Sequence, residues 1–207
     1  MSSEFIPKIV AGKFMHITDK SWELENKKKM IFFLSAGFCP YCAVERWAIV
    51  EALKNFGDWE ILTSDKSSST KEKYVNIPTF DFSRSKFSSK HIEFYGREIA
   101  DRSFNEMNLL SKQDEKILDM YNPDKIIPFL LIDGQFMQTG TKLDPRLFEN
   151  QTSEKITKLI ETDKENQITK EIRDQSNIIT ALICKSIGEI PEAINEQQQI
   201  TDIYKKI

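Results

Sequence analysis

Two cysteines separated by two residues constrain the possible fold of this chain more than any other feature of its sequence. They stand in the motif Cys39-Pro40-Tyr41-Cys42. An unbroken apolar run at residues 30–34 precedes them, and such a run is typical of a strand buried on both faces. Residues 43–56 then carry apolar side chains at helical spacing. The sequence therefore predicts a buried strand, a tight turn and a helix whose first turn carries both thiols.

The two thiols are expected to differ in reactivity. Pro40 suits the first helical position, because its φ is already helical and its missing N–H is not needed there. Cys39 lies where free backbone N–H groups and the helix dipole favour an anion, so its thiolate should be the stabilised one. Cys42 lies one turn further in and should be a less exposed, more ordinary thiol. Thiol–disulfide exchange needs this asymmetry, with Cys39 attacking a disulfide and Cys42 resolving the mixed disulfide.

Other interpretations of the motif remain open. A Cys-x-x-Cys pair can supply half of a zinc site, but the only further cysteine and histidines are Cys184, His16 and His91, and neither histidine is at ligand spacing from another. The protein could also be a metal or iron–sulfur carrier, or a binding module that keeps a redox fold without turnover. A Cys-x-x-Cys beside a strand and a helix favours redox chemistry. We therefore predict a thiol–disulfide oxidoreductase without metal or cofactor.

The motif also resembles known proteins. Its four residues have the active-site pattern of glutaredoxins, which belong to the thioredoxin superfamily. The longer run GFCPYCA at residues 37–43, followed by ERWA at 45–48, is similar to an uncharacterised thioredoxin-like family, known from archaea and some bacteria as a domain of unknown function. The similarity continues at residues 67–70, 78–80, 127–129 and 180–185. Members of that family often carry a membrane anchor or an export signal.

The resemblance implies further site residues. Thioredoxin-like folds place a cis proline opposite the cysteine motif, at the start of a strand that leads into a hairpin. Pro128 fits this position better than Pro78, because an apolar strand and an Asp-Gly turn follow it. The backbone of Ile127 could then pair with an extended substrate segment. Phe38 and Tyr41, beside the two cysteines, are predicted to support the site.

Glu45 and Arg46 follow Cys42 by three and four residues, a spacing that places them on the same side of a helix as Cys42. Thioredoxins usually carry a buried aspartate in the central strand, and the matching position here is Phe33. One interpretation is an ordinary exposed ion pair. In the other, Glu45 accepts the proton of Cys42, while Arg46 holds Glu45 or favours the thiolate. Both interpretations remain open at this point.

The whole chain, residues 1–207, is predicted to form a single α/β domain with a thioredoxin-like mixed sheet flanked by helices. A strand at residues 59–62 should pair in parallel with the central strand through a right-handed crossover. An insertion of about residues 64–122 should contain a ribbon made of residues 79–82 and 91–95, and a helix. Asp133-Gly134 predicts a hairpin. A helical extension at about residues 152–190 should bury Cys184 as a small hydrophobe.

Composition limits the partners that we expect. A chain of 207 residues with 40% hydrophobic residues can fill one sizeable core, and its net charge of −3 gives no reason to expect nucleic acid. No stretch is long and apolar enough to span a bilayer. The expected partners are disulfide- or dithiol-containing proteins, together with a thiol reductase or a small thiol. Residues 1–12 lack a signal-peptide pattern, so we expect a cytoplasmic location unless the natural protein carries an anchor or signal before them.

Overall fold

The computed structural model describes residues 5–108 and 110–207. The strands of this part of the chain are β1 (Lys8–Ala11), β2 (Phe14–His16), β3 (Lys29–Ser35), β4 (Gly57–Lys66), β5 (Pro78–Ser89), β6 (Ile92–Glu98), β7 (Phe129–Ile132) and β8 (Phe136–Thr139). Its α-helices are α1 (Pro40–Leu53), α2 (Lys112–Tyr121), α3 (Ser153–Thr162), α4 (Gln167–Ile187), α5 (Glu192–Asn195) and α6 (Gln198–Lys206). A short 3-10 helix covers Pro145–Phe148.

Six strands form a mixed sheet in the order β1-β2-β8-β7-β3-β6. Strand β3 is antiparallel to β7 and parallel to β6, and it is fully buried from Met30 to Ser35. Its side chains alternate between two cores, as the pleat of a strand requires. Phe33 packs on the side of α1 and α4, whereas Phe32 packs on the side of α2. The predicted α/β class, a mixed sheet flanked by helices, is confirmed.

The strand after α1 does not join this sheet, so the predicted parallel pairing of residues 59–62 with the central strand is wrong. Strand β4 pairs with β5 in a separate antiparallel sheet, and β6 is the parallel neighbour of β3. The predicted ribbon of residues 79–82 and 91–95 is corrected in the same way, since its second half is β6. Aromatic contacts explain the arrangement: Trp59 stacks on Phe82 at 5.4 Å, and both rings contact Phe94 of β6.

Helix α1 begins at Pro40, as expected for this proline, but it ends at Leu53, three residues before the predicted end. Gly57 starts β4 instead of ending the helix. Cys39 caps the start, because its sulfur accepts the backbone N–H of Cys42. Buried residues surround the helix on nearly all sides, where the sequence predicted one apolar stripe. The sheet, α4 and β5 enclose it.

Local turn and cap signals are confirmed in the second half of the chain. Asp133 and Gly134 both have positive φ, and the Gln135 N–H donates to the Ile132 carbonyl at 3.0 Å, which forms the predicted hairpin between β7 and β8. Helix α4 ends at Gly188, which has a φ of 91°. Among the described residues, the helices are all too short or too polar to cross a membrane.

Candidate active site

The cysteine motif lies where the central strand β3 turns into α1. Cys39 and Cys42 approach each other to 3.1 Å, and both are free cysteines. The Cys42 backbone N–H donates to the Cys39 sulfur over 3.3 Å. Cys39 is 7% exposed and Cys42 is fully buried. A substrate arriving from solvent therefore meets the sulfur of Cys39 first.

The two thiols have pKa values shifted in opposite directions. The hydrogen bond with the Cys42 side chain lowers the pKa of Cys39, and the Cys42 backbone N–H and the positive charge of Arg46 act in the same direction against burial. Burial raises the pKa of Cys42 well above its ordinary value, and the neighbouring Cys39 sulfur adds to this effect. Cys39 is therefore the more acidic thiol, in agreement with the sequence-based expectation.

Apolar side chains surround the two sulfur atoms. Cys39 and Cys42 form a small cluster with Ala36 and Ala100, against which Phe38, Ile99 and Ile127 pack. The Ile127–Pro128 peptide bond is cis, as predicted. The structure thus brings the predicted neighbours Phe38 and Ile127 to the cysteines.

The sequence analysis misses two of the apolar residues that lie near the cysteine motif. Ala100 and Phe104 lie in the loop after β6, and Phe104 stacks on Phe38 with ring centroids 4.4 Å apart. No sequence signal indicates that this loop folds over the motif. Tyr41 is 43% exposed and meets Tyr74 edge-to-face at 6.2 Å, so it lies at the rim of the site.

Arg46 forms a buried ion pair beside the motif. Its Nη2 donates to Glu98 Oε2 at 2.7 Å, to the Ala36 carbonyl at 3.1 Å and to the Ser35 hydroxyl at 3.2 Å. Of the two roles considered for Arg46, holding Glu45 is therefore wrong, because its partner is Glu98. An exposed pair is excluded as well, because Glu45 and Arg46 are each 1% exposed. The actual partner, Glu98, ends β6 and is 52 residues away in the chain, beyond the reach of helical spacing.

Glu45 points away from Arg46, because consecutive helical residues are turned by about 100°. Its carboxylate accepts hydrogen bonds from Thr141 Oγ1 at 2.5 Å, Gln175 Nε2 at 2.8 Å and Gln138 Nε2 at 3.2 Å. Burial raises the pKa of Glu45 to about 7, against the opposing effect of these hydrogen bonds. These hydrogen bonds join α1 to β8, to the loop after it and to α4, and the role of Glu45 as the proton acceptor for Cys42 stays a prediction.

Cys184 lies apart from the motif. It is fully buried in the large core between α1 and α4, whereas Cys39 and Cys42 belong to the small cluster at the end of β3. Burial raises the pKa of the Cys184 thiol to about 12.

Within residues 5–108 and 110–207, no three Cys, His, Asp or Glu side chains are grouped so that they could hold a metal ion.

Cys184 is expected to resist alkylation in the native protein. Its buried thiol carries almost no thiolate at neutral pH, so iodoacetamide should modify Cys39 and leave Cys184 free until denaturant is added. Mass spectrometry of tryptic peptides after timed labelling measures this difference. Native labelling of Cys184 at a rate comparable with that of Cys39 would contradict its position in the core.

Comparison with known families supports one part of the sequence interpretation. Residues 14–113 match a family model described as "Domain of unknown function (DUF929)". The matched segment runs from β2 to the start of α2 and contains the cysteine motif, Arg46 and Glu98. The expected resemblance to an uncharacterised domain family is thus confirmed, while its relation to the thioredoxin superfamily and an archaeal or bacterial origin stay predictions. Searches among curated proteins and solved structures found no match.

Proposed function

We propose that this protein is a thiol–disulfide oxidoreductase in which Cys39 and Cys42 form the redox pair. One observation carries the proposal: two free cysteines lie 3.1 Å apart, and the more exposed one has the lower pKa. A pair this close can form a disulfide with small side-chain movements. The difference in acidity separates a nucleophile from a resolving thiol.

In the reducing direction, the Cys39 thiolate attacks one sulfur of a substrate disulfide. The substrate S–S bond breaks, its second sulfur leaves as a thiolate that takes up a proton, and a mixed disulfide with Cys39 forms. Cys42 then loses its proton and attacks the Cys39 sulfur. The Cys39–Cys42 disulfide forms, the substrate sulfur that was bonded to Cys39 leaves as a thiolate and takes up a proton, and two electrons have passed to the substrate. In the reverse direction the oxidised pair accepts two electrons from a client dithiol.

The surroundings of Cys39 favour protein substrates. Phe38 and Phe104 form an aromatic surface next to the motif and line a cleft of about 640 Å³. The rest of the cleft is lined by apolar and by charged side chains, among them Ile99, Met107, Leu110, Glu106, Glu115 and Lys125. An apolar contact area with polar groups around it suits a polypeptide that carries the disulfide. We further propose that the backbone of Ile127, which packs against the cysteines, pairs with an extended part of the substrate. A thiol reductase or a small thiol would then regenerate the pair.

We also propose that the chain belongs to the thioredoxin superfamily. The support is the arrangement of elements around the motif: a buried central strand leads directly into the helix that carries both thiols, and the antiparallel hairpin β7–β8 lies beside that strand. Helices cover both faces of the mixed sheet. Phe33 occupies the place of the buried aspartate of thioredoxins, so the charge next to the thiols comes from Arg46 in this protein.

A redox titration tests the proposed function. Equilibration in glutathione or dithiothreitol buffers of graded potential, followed by acid quenching and thiol counting, should give a two-electron transition between free thiols and a Cys39–Cys42 disulfide. The protein should also accelerate the reduction of insulin by dithiothreitol. Cys184→Ala serves as the control and should behave like the unchanged protein. A pair that stays reduced or oxidised across all buffers, or zinc or iron bound to protein purified without chelator, would overturn the proposal.

A further inference from the structure

The ion pair between Arg46 and Glu98 is buried at unusual cost. Both residues are at most 3% exposed, and Arg46 Nε, Arg46 Nη1 and Glu98 Oε1 lack hydrogen-bond partners among the described residues. A buried ion pair must recover the loss of hydration through complete hydrogen bonding, and an incompletely bonded pair contributes little or nothing to stability. Fold stability alone therefore gives a weak reason for two charges at this place.

The position of the guanidinium relative to the thiols suggests another reason. Arg46 Nη2 donates to the carbonyl of Ala36 at 3.1 Å, and the same carbonyl accepts the backbone N–H of Cys39 at 3.2 Å. Ala36 also packs against both cysteines. One residue therefore contacts both the guanidinium and the redox pair. A positive charge so close favours the thiolate of either cysteine. Glu98 is the carboxylate that opposes this effect, since its Oε2 accepts a hydrogen bond from the same Nη2 at 2.7 Å.

We propose that Glu98 is a positioning residue for the redox pair. It holds the Arg46 guanidinium against Ala36 and cancels part of its positive charge, so that the two residues together determine how strongly the reduced pair retains a thiolate. The consequence for disulfide exchange rests on the proposed function. The effect on the thiolate itself is a property of the reduced protein alone.

Most of the other charged groups near this pair form ion pairs with one another. Arg46 and Glu98 line a cavity of about 350 Å³ next to Gly37, and Asp65, Asp81, Arg84, Asp101 and Arg102 line the same cavity. Arg84 forms ion pairs with Asp81 at 2.5 Å and with Asp65 at 3.7 Å, while Arg102 lies 3.8 Å from Asp65. The arginines of these pairs are largely exposed, so water screens them. Arg46 and Glu98, by contrast, are buried, so water does not screen their charges.

Titration of the Cys39 thiolate in charge variants tests the inference. Glu98→Gln removes the opposing charge and keeps the shape, so the pH midpoint for Cys39 alkylation should fall by about one pH unit. In the double variant Arg46→Met with Glu98→Gln both charges are absent, and the midpoint should return to near that of the unchanged protein. A lower pKa of Cys39 stabilises the reduced pair. Glu98→Gln should therefore shift the equilibrium between the Cys39–Cys42 disulfide and the two free thiols toward the thiols by up to about tenfold, which raises the reduction potential by about 30 mV.

Glu93→Gln is the matched control. Glu93 lies on the same strand as Glu98 but forms its ion pair with Lys28 at the surface, so the same chemical change should leave the midpoint unaltered. An unaltered or raised midpoint in Glu98→Gln, or a double variant that keeps the lowered midpoint, would overturn the inference. The titration needs no substrate. A protein that shows the shifts but exchanges no disulfide would therefore contradict the proposed function and leave this inference standing.

Discussion

Replacing Cys39 with serine is expected to abolish disulfide exchange, whereas Cys42→Ser is expected to trap the substrate as a mixed disulfide. Cys39 is the more exposed thiol and has the lowered pKa, so it forms the attacking thiolate. Without it, exchange should fall to the uncatalysed rate. Without Cys42, attack by Cys39 still occurs, but the intramolecular thiol that would release the product is missing.

Mass spectrometry after incubation with a peptide disulfide measures both outcomes. Cys42→Ser should gain the mass of one peptide chain on Cys39, and dithiothreitol should remove it. Cys39→Ser should gain none. Cys184→Ala provides the control for removal of a thiol, and it should neither trap the peptide nor lose activity. An adduct on Cys42 in Cys39→Ser, with none on Cys39 in Cys42→Ser, would reverse the two roles.

The second large effect is expected in the pH dependence of stability. The pKa of Glu45 is about 7 in the folded protein, against an ordinary value of 4.5, because burial disfavours the carboxylate. The folded state therefore prefers the protonated form. This preference stabilises the fold fully below about pH 4.5 and is lost as the pH rises through about 7. The shift corresponds to about 3 kcal/mol in the free energy of unfolding.

Glu45→Gln should remove this pH dependence. Glutamine stays neutral, and its amide can accept hydrogen bonds from Gln138 and Gln175 and donate one to Thr141. Urea unfolding should give nearly equal free energies for variant and unchanged protein at about pH 4, where the carboxyl is largely protonated in both states. At mildly alkaline pH the variant should be more stable by up to about 3 kcal/mol. Only this difference between the two proteins is attributed to Glu45, because all other groups titrate in both.

Glu51→Gln is the matched control for this measurement. It makes the same change on the same helix, but Glu51 is partly exposed and pairs with Lys54 at 2.5 Å. Its effect on the free energy of unfolding should be small and should not vary over the same pH range. A Glu45→Gln variant whose stability difference stays constant with pH would show that Glu45 is not buried in its protonated form.

The parts of this fold that local sequence signals encode were predictable. The apolar run of β3, the start of α1 at a proline and the Asp133-Gly134 turn each depend on residues close in the chain. Strand partners depend on distant residues. Alternation along β4 and β6 indicates two strands, but it does not indicate that β6, and not β4, lies beside β3.

The same distinction applies to the site. The order of acidity of Cys39 and Cys42 was predicted from the motif, and its main causes are the hydrogen bond between the two side chains and the burial of Cys42. The environment of Glu45 and Arg46 does not follow from the motif. Charged residues on a helix are usually exposed, but α1 is buried on nearly all sides. Glu45 and Arg46 bind polar side chains of β6, β8, α4 and the loop after β8. The hydrogen-bond partners of Glu45 and Arg46 come from distant parts of the chain, and the helical spacing of residues within α1 does not predict them.

The pairing of β3 has a consequence for synthesis on the ribosome. Its neighbours are β6 and β7, and β7 ends at Ile132, about a hundred residues later in the chain. Until both have emerged, the backbone N–H and C=O groups of the apolar strand β3 have no partners in the nascent chain. The reactive thiol of Cys39, next to this strand, is exposed to solvent during the same time. We therefore expect newly made chains to depend on chaperones, and to be prone to premature oxidation, until the hairpin β7–β8 closes over the strand.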